Sequence, residues 1–235
     1  MAEVITSPSN PKIKRLLALQ QKSSARREAG LFVVEGQREL QHCIDAGFDI
    51  DTIFVCTSLH GSQPLQTSCC AGPLPLPSEA GPSLLRSRGW LRSGEATAAS
   101  AASQTKVFEV SEEVYAKIAM RESTEGVIAE VIIRERKLEE LELPEQPLVV
   151  VLESVEKPGN LGAVLRSADA AGADAVLVCD PLTDLWNPNL IRASIGAVFT
   201  VPCVACGSAE AIAFLKARGI RILTAQLQDS SLYYD

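Results

Sequence analysis

The sequence has little that would suit a membrane, an export pathway or a bound metal. Among its 235 residues there is no run of about 18 or more apolar residues, so no transmembrane helix is expected. The N-terminus, MAEVITSPSNPKIKR, lacks the apolar core and small-residue cleavage site of a secretory signal peptide. We therefore expect a cytoplasmic protein with no membrane partner.

The cysteines and histidines are not spaced as metal ligands. Seven cysteines are present, an odd number, and most lie in apolar runs such as VLVCD and IFVCT, which is typical of reduced, buried thiols. The one CxxC motif, Cys203 to Cys206, would need further ligands to bind zinc. The remaining candidates are Cys69, Cys70, His42 and His60. We therefore expect no metal.

Charge is segregated along the chain, although the net charge is −7. An acidic protein is a poor partner for nucleic acid, but the distribution of charge matters more than the sum. Residues 135–145 are rich in acids, whereas the N-terminal arm is basic. The arm carries Lys12, Lys14, Arg15, Lys22, Arg26 and Arg27 against the single acid Glu3. A basic helix face of this kind is either simply solvated or contacts an RNA backbone, and both readings stay open.

The first part of the chain predicts a small α/β domain with a long interruption. Asn10 and Pro11 predict a helix start, LFVVEG and TIFVC predict strands, and Ser111 is placed to cap another helix. Residues 57–104 are mostly Ser, Ala, Pro and Gly, which predicts a disordered or loosely folded insertion. A shifted frame or a retained intron would explain the same composition. We expect a domain over 1–134 and a linker over 135–147.

From residue 148 strands and helices alternate. The apolar run LVVVLE predicts a buried strand, and further strands are predicted at 175–180, 197–202 and 220–225. Helices fill the intervals, and Asn187 is placed to cap one of them. Short loops between alternating elements indicate a parallel sheet covered on both faces. The second domain is expected over 148–235.

One loop in this second domain carries the residues of most chemical interest. Gly159-Asn160-Leu161-Gly162 lies between a strand and a helix, where glycines permit a positive φ or a close backbone approach. The spacing is GxxG, so the usual nucleotide-binding loops are not present. Arg166 follows on the helix. Beside an apolar stripe it can extend to solvent, pair with Asp169, or reach a phosphate.

The segment EKPGNLGAVLRSADAAGADAVLV, followed by NPNLIRASIGAVFTVP, resembles the SpoU (TrmH-like) family of RNA 2′-O-ribose methyltransferases, part of the trefoil-knotted SPOUT group. The N-x5-R spacing, the PGNLG turn and the S-x-G-A-x-F-x-x-P run carry the resemblance. The stretch ITSPSNPKIKRLLAL…GLFVVEGQREL is similar to an L30e-like substrate-binding domain joined to the catalytic domain in several members. The resemblance covers residues 1–56 and 106–235. It implies an α/β fold with an N-terminal L30e-like domain followed by a parallel-sheet SPOUT methyltransferase domain.

The resemblance also implies a reaction and its residues. A methyl group passes from S-adenosylmethionine to a ribose 2′-hydroxyl in structured transfer or ribosomal RNA. Asn160 and Arg166 match the first family motif and are expected to be catalytic, with Arg166 holding an RNA phosphate because guanidinium is a poor proton acceptor. Thr224, Ala225 and Leu227 are expected to contact the cofactor. The residues expected to contact RNA are Lys12, Lys14, Arg15, Arg26 and Arg27.

The family's remaining motifs, a glycine-rich loop with a glutamate and a knotted segment with proline, serine and asparagine, do not occur in this sequence. From this we expect a C-terminally truncated member that binds S-adenosylmethionine poorly and does not methylate RNA by itself. The full-length form is expected to be a homodimer, and the second domain is expected to expose an apolar sheet edge. The alternatives are a non-catalytic RNA-binding module and, less favoured, a different nucleotide-binding α/β enzyme.

Overall fold

The computed structural model describes residues 3–59, 105–121 and 125–225, which form two compact units, Met1–Ile132 and Ile133–Asp235. Of the insertion predicted at 57–104, residues 60–104 lie outside the described residues. Within the described ranges, no helix is both long and apolar enough to cross a membrane.

The described residues of the first unit form five strands and four helices. Three sequence signals locate its helices, since the Asn10 side chain accepts from Lys12 N at 2.9 Å, Pro11 opens the helix, and Ser111 caps the fourth helix. The elements are β1 (Glu3–Ile5), α1 (Pro11–Gln21), α2 (Ser23–Ala29), β2 (Leu31–Glu35), α3 (Gln37–Asp45), β3 (Ile50–Val55), β4 (Lys106–Val110), α4 (Glu112–Ile118) and β5 (Val127–Ile132). The sequence did not predict β1 or α2.

The five strands form one mixed sheet in the order β1-β4-β3-β5-β2. Strands β3 and β4 pair in parallel, with Thr52 opposite Lys106, while β5 is antiparallel to β2 and to β3. Helices α1 and α4 bury their apolar residues against one face of the sheet, where Tyr115 lies at 0% exposure. Every second residue of β5 points to the opposite face, so the central strands are buried on both sides.

The second unit is a three-stranded parallel sheet in the order β6-β7-β8. Its register places Val149 opposite Ala175 and Val176 opposite Cys203. The elements are a 3₁₀ turn at Leu138–Glu140, β6 (Val149–Glu153), α5 (Pro158–Ala171), β7 (Ala175–Cys179), α6 (Pro188–Ser194), α7 (Ala197–Thr200), β8 (Cys203–Cys206) and α8 (Ser208–Ala217). Asn187 caps α6 as predicted, with its side chain accepting from Asn189 N at 2.9 Å.

Two strand predictions in this unit were wrong. Residues 197–202 were expected to be a strand, but Gly196, at φ +84°, opens the short helix α7 there, and the third strand begins at Cys203. Residues 220–225 were expected to be a fourth strand, but no strand forms at them in the structure. Part of the predicted linker also belongs to this unit, because Leu138 and Leu141 are buried against Leu177 of β7.

Candidate functional site

The carboxyl ends of β6 and β7 meet at one edge of the second sheet, and the backbone turns sharply at both. Ser154 (φ 52°) directly follows β6, and Asp180 (φ 45°) directly follows β7. Residues other than glycine rarely adopt positive φ, and such positions concentrate at functional sites. This edge is also where open parallel sheets bind ligands. The backbone therefore marks the carboxyl edge as the candidate site.

One serine links two carboxylates at this edge. Ser208, the first residue of α8, places its Oγ 3.0 Å from Glu153 Oε1 and 2.5 Å from Asp180 Oδ2. Ser208 N–H also donates to Asp180 Oδ2 at 3.1 Å, and these bonds lower the pKa of the Asp180 carboxyl. The cluster joins all three strands of the sheet at one end. Sequence reasoning missed it, although Glu153 and Asp180 are the last residues of two predicted strands.

Helix α5 presents the two predicted catalytic residues to solvent but not on one face. Asn160 and Arg166 are both exposed. Six helical residues correspond to about 9 Å along the axis and roughly 240° of rotation, so the side chains leave the helix in different directions. Within the described residues Arg166 makes no ion pair, and Asp169 accepts from Thr200 Oγ1 at 3.3 Å. A single small group cannot bond to both residues, whereas an extended substrate can.

Gly162 of the predicted turn has a packing role. It lies inside α5, and a Cβ built on it would come within 2.6 Å of Ala193 Cβ and 2.9 Å of Ser194 N. Such distances are far below ordinary contact, so only glycine allows α5 to approach the end of α6 this closely. A Cβ built on Gly159 would have no neighbouring atom within 4 Å. The close contact fixes the position of α5, and therefore of Arg166 one turn beyond Gly162.

The predicted cofactor residues lie at the C-terminal end of the described chain. Thr224 and Ala225 are exposed and outside any strand. Leu227 lies outside the described residues. The role of these three residues in holding a cofactor therefore stays a prediction.

Two of the five predicted RNA contacts are engaged inside the first unit. Arg15 donates from Nε to Glu130 Oε1 at 3.3 Å, forms a second, shorter contact with Glu130 Oε2, and pairs with Asp51 at 3.2 Å. Glu130 is fully buried, and burial raises the pKa of its carboxyl despite the guanidinium beside it. Arg26 is 3% exposed and donates to the carbonyl of Leu19 at 2.6 Å.

The other three basic residues remain near the surface. Lys14 and Arg27 are exposed. Lys12 is half-buried, with its Nζ 4.0 Å from the centre of the Phe108 ring, a cation–π contact that holds the ammonium group in place. The basic arm is therefore divided. Arg15 and Arg26 bond within the first unit, Lys12 contacts the Phe108 ring, and Lys14 and Arg27 are exposed.

The cysteines of β7 and β8 are not set up as nucleophiles. Cys179 and Cys206 are register partners on neighbouring strands. Burial raises the pKa of Cys203 and of Cys206 to about 12, so both stay protonated at neutral pH. Within the described residues no group of three or more potential metal ligands is present.

Family models match both parts of the chain. The model described as the SpoU rRNA Methylase family matches residues 147–235, and the MRM3-like substrate binding domain matches residues 10–74. A crystal structure of an RNA 2′-O ribose methyltransferase is 34% identical and superposes with a TM-score of 0.64, covering 92% of this chain and 70% of that one. The AdoMet-bound rRNA methyltransferase of Sinorhizobium meliloti is 26% identical, with a TM-score of 0.69, and the match covers 92% of this chain and 69% of that one.

Curated relatives match shorter stretches. The 23S rRNA (guanosine(2553)-2′-O)-methyltransferase RlmP of Bacillus subtilis is 30% identical over 128 residues, which are 54% of this chain and 50% of that enzyme. RlmB of Pseudomonas putida, a 23S rRNA (guanosine-2′-O-)-methyltransferase, is 37% identical over 119 residues, 46% of this chain and 47% of that enzyme. The chain thus spans about half the length, or less, of the curated relatives it matches.

These matches define a methyltransferase fold of the SPOUT group, and the chain belongs to the SpoU methylase family. The fold class expected from the sequence is confirmed, with an N-terminal substrate-binding unit followed by a parallel-sheet SpoU domain.

Proposed function

We propose that this chain is a family member whose reaction is the S-adenosylmethionine-dependent methylation of a ribose 2′-hydroxyl in ribosomal RNA. The family match over residues 147–235 supports the reaction class, and the relatives that act on 23S rRNA support the substrate. The observation that carries the proposal is helix α5, which begins shortly after the carboxyl end of β6 and holds Asn160 and Arg166 exposed.

S-adenosylmethionine supplies an electrophilic methyl group, and it is the ligand of a solved family structure. The chemistry of this edge suits it, because the Glu153 and Asp180 carboxylates are acceptors for hydroxyl and ammonium groups. We assign Thr224, Ala225 and Leu227 to holding the cofactor, as the family resemblance implies.

Arg166 orients the RNA in this proposal. A guanidinium stays protonated at any physiological pH, so it cannot remove the proton of the 2′-hydroxyl. It can hold a phosphate through paired N–H donors and so fix the neighbouring ribose. The proton then passes to that phosphate or to a neighbouring group. Asn160 lies two turns nearer the helix start, where its amide can bond to a different part of the same nucleotide.

Arg166→Ala tests this role, with Arg192→Ala as a matched control. Arg192 is another exposed arginine of the same unit, on α6, and bonds to Asn189 Oδ1 at 3.2 Å. Both variants are made in a form of the protein that also carries the family's remaining motifs. There, transfer of a labelled methyl group to ribosomal RNA should fall about 100-fold or more in the Arg166 variant and stay near wild type in the control. Equal transfer by both variants would show that Arg166 has no special part in the reaction.

Lys12, Lys14 and Arg27 are proposed to contact the RNA backbone. Replacing any of them with alanine should weaken binding for all RNA sequences and lower the slope of log K against log salt by about 0.7 to 1. Filter binding at several salt concentrations measures the slope. An unchanged slope for all three would place the RNA elsewhere.

The non-catalytic RNA-binding module is the second candidate, and the five-stranded sheet of the first unit with its exposed basic residues favours it. Calorimetry of the 235-residue chain with S-adenosylmethionine tests the prediction of poor binding, which micromolar binding would overturn. The same measurement on a form that also carries the family's remaining motifs separates the two candidates, because cofactor binding favours the enzyme and RNA binding without cofactor binding favours the module. The homodimer and the cytoplasmic location stay predictions, and light scattering tests the first.

A further inference from the structure

Ile195 has a strained backbone and an exposed side chain. It directly follows α6 with φ 54° and ψ 36°, in the left-handed region. A β-branched residue rarely adopts this conformation, and glycine is the usual residue at such a helix end. The Ile195 side chain is 40% exposed, so full burial in the core does not offset the strain. Strain that the fold does not require points to a function at the position.

The chain around Ile195 packs along α5. Gly162 of α5 lies against Ala193, just before Ile195. Further along the same helix, Asp169 accepts a hydrogen bond from Thr200 Oγ1 at 3.3 Å, and Thr200 is the last residue of α7. Ile195 therefore lies on the stretch of chain that passes α5 between these two contacts.

Arg166 lies on the same side of α5. At about 100° per residue, Arg166 is rotated roughly 40° from Gly162 and roughly 60° from Asp169 around the helix axis. Arg166 is exposed, and among residues 194–199, which pass this side of α5, Ile195 alone is exposed. A cation and an apolar side chain are therefore both open to solvent where α5 meets the end of α6.

A nucleotide is complementary to such a pair. Its phosphate accepts hydrogen bonds from a guanidinium, and its base presents a flat face that packs against side chains. Proteins use isoleucine, leucine and methionine as wedges beside unstacked bases, and enzymes that modify a nucleotide take it out of the stack. Isoleucine suits this use because β-branching leaves it few side-chain rotamers.

We propose that Ile195 packs against the face of an RNA base at the nucleotide whose phosphate Arg166 holds. Arg166 then fixes the phosphate and Ile195 fixes the base, so the ribose between them is held in one orientation. Ile195 positions the substrate in this way and takes no part in proton transfer. The inference rests on the proposed function, in which Arg166 binds RNA.

Photocrosslinking of the 235-residue chain to 23S ribosomal RNA tests the contact without need of activity. Short-wavelength ultraviolet light couples bases to the side chains that they touch. The tryptic peptide from Ala193 to Lys216 should carry a crosslinked nucleotide, and its yield should fall about tenfold in Ile195→Ala. Ile212→Ala changes another exposed isoleucine of the same peptide, on α8, and should keep the wild-type yield.

Stability measurements separate contact with RNA from a structural role. Ile195→Gly relieves the left-handed strain, so it should not lower the denaturation midpoint of the second unit, measured by hydrogen exchange of β7 amides. It should nevertheless lower the crosslink yield, whereas Ile195→Met keeps an apolar side chain and should retain most of it. A yield that falls only in variants of reduced stability would show that Ile195 holds the helix end and does not contact RNA.

Methyl transfer distinguishes this inference from the proposed function. In a form that also carries the family's remaining motifs, Ile195→Ala should lower kcat/KM for ribosomal RNA about tenfold, and Ile212→Ala should not. If the wild type transfers methyl groups and both variants match it in transfer and crosslinking, the inference is wrong and the proposed function stands. If the wild type of that form transfers none, the proposed function fails, and a crosslink lost in Ile195→Ala still supports the base contact.

Absence of any crosslink in the Ala193–Lys216 peptide of the wild-type chain would overturn the inference.

Discussion

The two units use their charged residues in opposite ways. In the first unit, Arg15 and Glu130 meet on one face of the sheet, and Arg121 holds the buried Glu39 at 2.8 Å. In the second unit, Arg166 and Asn160 extend into solvent. Among the described residues, the first unit has five strands and the second has three. Arg15 and Arg121 stabilise the fold of the first unit, whereas Arg166 makes no ion pair with a described residue and is exposed to a partner.

The largest expected effect comes from breaking the central ion pair of the first unit. Arg15→Ala leaves the fully buried Glu130 carboxylate without its partner, which should cost roughly 3 kcal/mol of unfolding free energy. Hydrogen exchange of the β5 amides across a denaturant series measures this free energy of unfolding. Arg27→Ala, at an exposed arginine, is the control. Arg15→Met with Glu130→Leu should recover most of the loss. Equal stability of the Arg15 and Arg27 variants would show that the pair does not hold the unit together.

Replacing either of two nearby glycines in the second unit with alanine should change the stability of the unit, in opposite directions. Gly162→Ala places a methyl group against Ala193 and should destabilise the unit by about 1–3 kcal/mol. Gly159→Ala meets nothing and should gain up to about 1 kcal/mol, because alanine favours the helix. Trp186 fluorescence during denaturation reports on this unit. If both variants behaved alike, the close contact of α5 with α6 would not be important.

Arg26 and Arg27 are neighbours in the basic arm, but their replacement by alanine should have different effects. Arg26→Ala removes the donor to the Leu19 carbonyl and should cost about 1–2 kcal/mol. Arg27→Ala should leave stability unchanged and weaken RNA binding. Thermal unfolding and RNA titration of both variants check this. If the Arg26 variant were fully stable but bound RNA more weakly, Arg26 would be a residue that contacts RNA.

The smallest expected effect is a difference in pH dependence at Glu39. Burial alone would raise the pKa of this carboxyl, but the hydrogen bond and charge of Arg121 outweigh burial and lower the pKa. A carboxyl whose pKa is lower in the folded state than in the unfolded state stabilises the fold when the pH is above the unfolded-state pKa, about 4.3. This stabilisation is lost as the pH falls through the folded-state pKa. The wild type should therefore lose roughly 1 kcal/mol more than Glu39→Gln between pH 5 and pH 3. Parallel pH profiles of the two in urea denaturation would contradict this.

Sequence patterns predicted the elements that depend on local signals. The caps at Asn10, Ser111 and Asn187 and the strands β2, β3, β6 and β7 follow from capping residues and apolar runs. The strand predicted at 197–202 was wrong. The apolar run AVFTV is compatible with a buried strand or with a buried helix, and a helix begins there after Gly196, which has a positive φ. Short apolar runs do not distinguish the two by periodicity.

The site was only partly predictable for a related reason. The roles of Asn160 and Arg166 were predicted from a motif and stay predictions, whereas the roles of Arg15 and Arg26 depend on partners far away in sequence or on burial. Glu130, the partner of Arg15, is 115 residues away. No local pattern separates an arginine that pairs with a distant carboxylate from one that faces solvent. The bridge between Glu153, Asp180 and Ser208 likewise appears only when the strand ends are brought together.

The side-by-side pairing of β3 and β4 has a consequence for how the first unit tolerates change. The two strands are parallel, with Thr52 opposite Lys106 and Val55 opposite Glu109, so the connection has to return from the carboxyl end of β3 to the amino end of β4. Such a return needs about a dozen residues or more. Beyond that length, the entropy of closing a loop grows only with the logarithm of its length, by about 0.6 kcal/mol for each doubling. Lengthening the connection, or shortening it to no less than this minimum, should therefore alter the stability of the sheet very little.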